Sequence, residues 1–181
     1  METQIDAHLV WLFVHILSVI LGFGAVIVVD VFGVLWMLKK VHLAQVIAVA
    51  KVTQMLIWIG WLGAVISGYI LMQEFTRIPN LVWFKIFLVV LLGVNGVFLH
   101  YIKVALEKIS GDNISNELKF RIGFGSFISQ IGWWGAIIIG FMGHELHKNT
   151  PKLPSIWPYI GGSMIILIAV YIVGTFVTRK K

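Results

Sequence analysis

The chain of 181 residues contains no cysteine. Disulfides, thiolate metal sites, iron–sulfur clusters and cysteine nucleophiles are therefore excluded. Charge is scarce as well. Charged residues make up 12% of the sequence, against 59% hydrophobic residues, and a soluble domain of this size needs more polar surface than that to cover its core. The segment Met1 to His8 is acidic rather than basic and lacks a cleavage pattern, so it is not read as a cleaved signal peptide. A regular alternation of apolar and polar residues, the mark of a membrane β-barrel, is also missing.

What is present instead is a series of continuous apolar runs, each about as long as the ~20 residues a helix needs to cross a bilayer. They cover about 9–38, 46–72, 81–101, 122–143 and 159–177. The expected fold class is all-α: a polytopic membrane helix bundle of five transmembrane helices in a single integral membrane domain. The longest connection, from about Ile102 to Arg121, reads as a short amphipathic or irregular link, so function must reside in the spans or at their mouths.

The net charge of +6 marks orientation, not nucleic-acid binding. Lys39, Lys40, Lys51, Lys103, Lys108, Lys119, Arg121, Arg179, Lys180 and Lys181 fall on one side of the membrane, and Arg77, Lys148 and Lys152 on the other. The positive-inside rule puts the richer side in the cytoplasm. The expected location is a bacterial inner membrane, with the N-terminus outside and the C-terminus cytoplasmic. The lipid bilayer is the first expected partner, and a homo-oligomer or a membrane protein partner is compatible with the short loops. Trp11, Trp83, Trp157 and Tyr159 lie near outer span ends, and Trp36 and Tyr101 near inner ones, as expected of interface anchors.

The sequence also repeats. Ile59-Gly60-Trp61-Leu62-Gly63-Ala64 in the second span returns 72 residues later as Ile131-Gly132-Trp133-Trp134-Gly135-Ala136 in the fourth. Spans one and three match more weakly at an offset of 71, Leu21-Gly22 against Leu92-Gly93. This pattern predicts a duplicated two-helix hairpin followed by a fifth helix, with both copies inserted in the same direction. Stripes of small residues suit close packing in lipid: Thr53, Gly60, Gly63 and Ser67 on span two; Gly125, Ser129, Gly132, Ala136 and Gly143 on span four; Ser18 and Gly22 beside His15; and Gly93 and Gly96 beside His100.

Ionisable groups inside a membrane are costly and are the strongest functional pointers. His15 and Lys85 enter their spans from the same side, and Asp30 and His100 follow each of them 15 residues later. At ~1.5 Å rise per residue this gives two polar levels roughly 20 Å apart. Asp30, Asn95 and His100 form a candidate polar relay near the inner mouth, with Arg121 expected close by. His8, His144, Glu145 and His147 gather at the outer side as candidate metal ligands, since neutral imidazole binds transition metals and haem iron. Trp58, Trp61, Trp133 and Trp134 lie at mid-span, where they are suited to wall a flat cofactor or a quinone.

The order of these features, with Phe13-Val14-His15-Ile16-Leu17 in span one and Trp83-Phe84-Lys85 opening a run that ends in Leu99-His100, resembles small five-span bacterial membrane proteins related to the CopD-like and HemJ-like families. The resemblance covers spans one to four. It implies a link to b-type haem or to copper uptake, with His15, Trp83 and Lys85 in the matching positions; the mid-span Trp61 and Trp133 would shape a haem site. Three readings follow: a haem-binding or redox-linked protein, a metal-ion or proton transporter, and an anchoring or assembly subunit without chemistry of its own. The charge bias generates a direct test. A reporter that fluoresces only in the cytoplasm, fused after Lys181, is expected to be bright, and a periplasmic phosphatase at the same position inactive.

Overall fold

The computed structural model describes residues 6–73, 78–109, 111, 113–149 and 155–179, with side chains omitted for 143–149. Five α-helices account for nearly all of them: α1 (Ala7–Met37), α2 (Leu43–Met72), α3 (Asn80–Leu106), α4 (Asn116–Asn149) and α5 (Trp157–Arg179). Among the described residues there is no strand, and each helix is long and apolar enough to cross a membrane. The expected all-α class holds, and every expected span falls on one helix. Most helices overrun their apolar runs. α3 continues to Leu106 and α4 starts at Asn116, so the connection expected from Ile102 to Arg121 shrinks to residues 107–115. Polar residues at these ends keep the helical form because intrahelical bonds satisfy the backbone whether lipid or water surrounds it.

The chain divides into two compact units, Met1–Ile78 and Pro79–Lys181. The first is the α1–α2 hairpin. Asp6 opens α1 by accepting a hydrogen bond from His8 N at 3.0 Å, the ordinary N-cap arrangement. α1 closes with Lys39 in the left-handed region (φ 58°), where Lys39 N reaches Trp36 O and Lys40 N reaches Leu35 O. These bonds satisfy carbonyls that a helix end otherwise leaves bare. The two helices run antiparallel and touch through small residues. A Cβ built on Gly60 would lie 2.5 Å from Gly22 Cα and 2.6 Å from Ser18 O, and one on Gly63 would run into the Ser18 side chain. Backbone meets backbone here, which glycine alone permits.

The second unit repeats the hairpin in α3–α4 and adds α5. The repeat extends to the contacts themselves. Gly60 on Gly22, Gly63 on Ser18 and Gly68 on His15 correspond to Gly132 on Leu92, Gly135 on Leu88 and Gly140 on Lys85. Positions 60, 63 and 68 advance by 72 residues to 132, 135 and 140, and positions 22, 18 and 15 advance by 70 to 92, 88 and 85. The register of the first helix in each copy is thus 70, one residue short of the offset read from Leu21-Gly22 and Leu92-Gly93. Matching letters in apolar runs align poorly; contacts fix the frame. The buried face of α3 also differs from expectation. It consists of Leu88, Leu92, Asn95, Ile102 and Leu106, while His100 is exposed. Leucines fill the holes left by Gly125, Gly132 and Gly135 of α4, where a Cβ would come within 2.5–2.8 Å of Leu99, Leu92 or Leu88. Small residues therefore line one side of this seam and large ones the other.

α5 buries none of its residues completely. It meets α4 near its C-terminal end, where Phe120 occupies the space beside Gly174 and the Tyr171 ring lies 5.4 Å from Phe124 and 5.9 Å from Phe98. At its other end the Trp157 ring is 6.1 Å from Trp83. The exteriors of both units are rich in exposed Leu, Ile, Val and Phe, while the interiors hold Thr53, Ser67, Asn95 and Ser129. That arrangement suits a lipid surround, in which close contact and hydrogen bonds, rather than exclusion of water, hold helices together.

The backbone contact at Gly60 generates a paired prediction. Gly60→Ala is expected to destabilise the protein by about 1–3 kcal/mol through overpacking. Gly24→Ala, at a helical site with nothing within 4 Å, is expected to be neutral or to add up to about 1 kcal/mol by propensity. Unfolding in mixed micelles measures both.

Candidate functional site

His15 lies eight residues after the start of α1, about 12 Å of helix rise from its first turn. It is half-buried and faces α2, where its Cε1 would lie 3.3 Å from a Cβ at Gly68. Its Nδ1 is 3.0 Å from Ser67 Oγ, and Ser67 is fully buried, with 0% exposure. A hydroxyl has one proton. Ser67 gives its proton to Gly63 O, one turn back, at 2.5 Å. With that proton committed, Ser67 Oγ can accept from Nδ1–H of His15. A hydrogen bond of this kind through one ring nitrogen is what orients a ligating histidine in metal sites.

Lys85 occupies the same position in the second unit. Its Nζ would be 3.2 Å from a Cβ at Gly140, as His15 would meet one at Gly68. Asp30 and His100 are likewise 70 residues apart, so both ionisable levels repeat in the register that the contacts define. Asp30 is half-buried in the first unit, and His100 is exposed on α3 with its ring 6.0 Å from Tyr101.

Asn95 is the most buried of the expected relay residues, at 3% exposure. Its Nδ2 donates to Gly125 O at 2.8 Å and to Ser129 Oγ at 2.9 Å. The amide is committed to the α3–α4 contact, and its Oδ1 is buried without a partner among the described residues. Arg121 is engaged on its own helix: its Nη2 donates to Glu117 at 2.6 Å. An i,i+4 carboxylate reaches the guanidinium with no tertiary contact needed.

The tryptophans occupy different surroundings. Trp61 is half-buried and meets Trp58 edge-on at 5.6 Å. Trp133, its counterpart 72 residues on, is in the core of the second unit, whereas its neighbour Trp134 is 51% exposed. Successive helical residues point about 100° apart, so Trp133 and Trp134 face different directions. Trp83 pairs with Trp157 near the start of α3 and α5. α1 extends far enough to carry both His8 and His15. The side chains of His144, Glu145 and His147 lie outside the described residues, and among the described residues no group of three or more His, Asp or Glu side chains converges on a metal-sized site.

Residue-level reading of the sequence missed two partners. Ser67 was legible as a member of a small-residue stripe, but its bond to His15 depends on the register fixed at Gly60 and Gly22. Glu117 also bonds Arg179 Nε at 3.1 Å, a link between α4 and α5 that no spacing rule signals.

The fold defines a class: an all-α polytopic membrane protein of two helical hairpins and a fifth helix. No protein-family model matches the chain, and neither does any curated protein or solved structure. The Asn95 contact yields a test by double-mutant cycle. Asn95→Ala and Ser129→Ala are each expected to destabilise the protein, with a coupling of about 0.6 kcal/mol and at most ~1.7 kcal/mol, read from unfolding in micelles.

Proposed function

We propose that the chain is an integral protein of a bacterial inner membrane, N-terminus outside and C-terminus cytoplasmic, whose first hairpin presents His15 as a residue that would hold b-type haem. The observation that carries this reading is the His15–Ser67–Gly63 chain of hydrogen bonds. It holds the imidazole through one ring nitrogen, inside a helix where an imidazole with no task is disfavoured. The donor set fits the group: one nitrogen base, fixed through its second nitrogen, with Gly68 beside the ring and Trp61 on the same partner helix. Haem, when bound, supplies one-electron chemistry; His15 holds it and Ser67 holds His15. The resemblance to HemJ-like proteins, in which an early histidine precedes a Trp-Phe-Lys opening of the third span, points the same way. The loop charges support the orientation.

A second reading, an anchoring subunit in a homo-oligomer or with a membrane partner, draws on α5, which buries no residue fully and leaves its apolar surface open. The two separate cleanly by absorption. Protein purified in detergent from haem-replete cells is expected to show a Soret band, His15→Ala to lose it, and Ser67→Ala to retain haem roughly tenfold more weakly. An intact chain without the band would refute the haem reading.

A further inference from the structure

The α3–α4 seam of the second unit holds a polar cluster that the first hairpin does not repeat. Asn95 stands near the middle of α3 and is 3% exposed, and Ser129 of α4 is 7% exposed. We infer that this cluster binds one water molecule, held between Asn95 Oδ1 and the Ser129 hydroxyl in the interior of the hairpin. Three observations carry the inference. The first is an unmet acceptor. A side-chain amide has two N–H donors and one carbonyl oxygen. Nδ2 uses both donors, on Gly125 O at 2.8 Å and on Ser129 Oγ at 2.9 Å. A carbonyl can only accept, so the nitrogen must face Gly125, and turning the amide end for end gives the oxygen no donor there. Oδ1 is left buried with no donor among the described residues. In an apolar interior such an oxygen is destabilising until a donor reaches it.

The second is an unmet donor in the same cluster. Hydroxyls elsewhere in these helices give their proton to the carbonyl four residues back: Ser18 to Val14, Thr53 to Val49, Ser67 to Gly63, Ser163 to Tyr159 and Thr175 to Tyr171. Ser129 does not. The carbonyl four residues behind it is Gly125 O, which belongs to the α4 ladder and also accepts from Asn95. Ser129 Oγ accepts from the same amide and donates to no group among the described residues. The occupant must therefore donate to Oδ1 and accept from the hydroxyl. Water does both. A cation cannot take the hydroxyl proton, and of the three oxygens here, Oδ1, Gly125 O and Ser129 Oγ, two already accept from Nδ2. That is too few for a hard cation, and no carboxylate belongs to the cluster.

The third is the comparison between copies. In the frame fixed by the glycine contacts, Asn95, Gly125 and Ser129 correspond to Ala25, Thr53 and Ile57. Ala25 and Thr53 are buried, and the Thr53 hydroxyl bonds its own helix at Val49 O. The first hairpin thus closes at this level with no polar bond across the seam from these positions. Packing alone does not call for an amide and a hydroxyl in the second. Buried waters occupy places where two to four polar groups converge, and leave apolar ones dry. By that rule the second seam is hydrated at Asn95 and the first is dry at Ala25.

The test uses the full chain in lipid nanodiscs. A density map at a resolution that shows ordered water is expected to place one peak within hydrogen-bond distance of both Asn95 Oδ1 and Ser129 Oγ. The peak is expected to remain when choline replaces sodium and potassium in every buffer. Infrared spectra give a second readout. Exchange into water enriched in heavy oxygen is expected to shift an O–H stretching band of the native chain. That band is expected to be lost in Asn95→Ala combined with Ser129→Ile, which copies the first hairpin at both positions, and kept in Gly24→Ala. A map with no peak at Oδ1, a protein donor in its place, a peak that leaves with the alkali cations, or an unchanged isotope-sensitive spectrum in the double variant would each overturn the inference. The map of the unsubstituted chain decides even where the double variant fails to fold.

Discussion

The first hairpin depends on a contact in which no side chain takes part from one helix and almost none from the other. Gly60 of α2 rests on the backbone of Gly22 and on the carbonyl of Ser18, so closely that even a methyl group at position 60 has no room. In lipid this closeness is the source of cohesion, since apolar side chains gain little by leaving one hydrocarbon for another. It also sets the register. Once Gly60 is seated on Gly22, Gly63 must meet Ser18 and Gly68 must meet His15, and Ser67, one residue before Gly68, is carried to within a hydrogen bond of Nδ1. The hydrogen bond of a candidate ligand thus follows from a glycine two turns from Ser67.

The second hairpin solves the same geometric problem with different chemistry. Its glycines are kept at the corresponding positions of α4, but α3 faces them with Leu88, Leu92 and Leu99. Leucines in glycine holes give dispersion contacts in place of backbone contact. The polar bond moves as well, from the level of His15 to Asn95, which grips Gly125 O and Ser129 Oγ. Duplication accounts for the shared frame; the divergence within it separates the roles of the copies. His15 has a hydroxyl to orient it, whereas position 139, the counterpart of Ser67, is an isoleucine. Lys85, with one nitrogen, has no tautomer to fix.

Much of this architecture was legible before any coordinates. Run length gave five helices, because a bilayer permits few alternatives to a continuous apolar helix. The seven-residue recurrence of Thr53, Gly60 and Ser67 gave the packed face of α2, and all three are buried. Two kinds of information were not in the letters. Register in the α1 and α3 copies was off by one, because Leu, Val and Ile runs align almost equally well at neighbouring offsets. The packed face of α3 was assigned to Gly93 and Gly96 by analogy with the other stripes, yet it is Leu88, Leu92 and Asn95. A small residue marks a close approach only when its partner surface is known, and on this seam the small partners all lie on α4. Arg121 illustrates a related limit: depth alone did not name its partner, a carboxylate four residues back on its own helix.

The ionisable groups follow the duplication more faithfully than the apolar ones, and this bears on what they are for. His15 with Lys85, and Asp30 with His100, keep the 70-residue frame that the glycine contacts define, although the residue types differ in each pair. Packing alone does not require it, since the seam of the second hairpin was rebuilt with leucines and still closes. A titratable side chain in an apolar helix carries a desolvation cost wherever it stands, so retaining one at the same level of both copies is opposed by stability rather than favoured by it. What differs between the copies is the side chain and its support: an imidazole bonded to Ser67 in the first, a long amine beside Gly140 in the second.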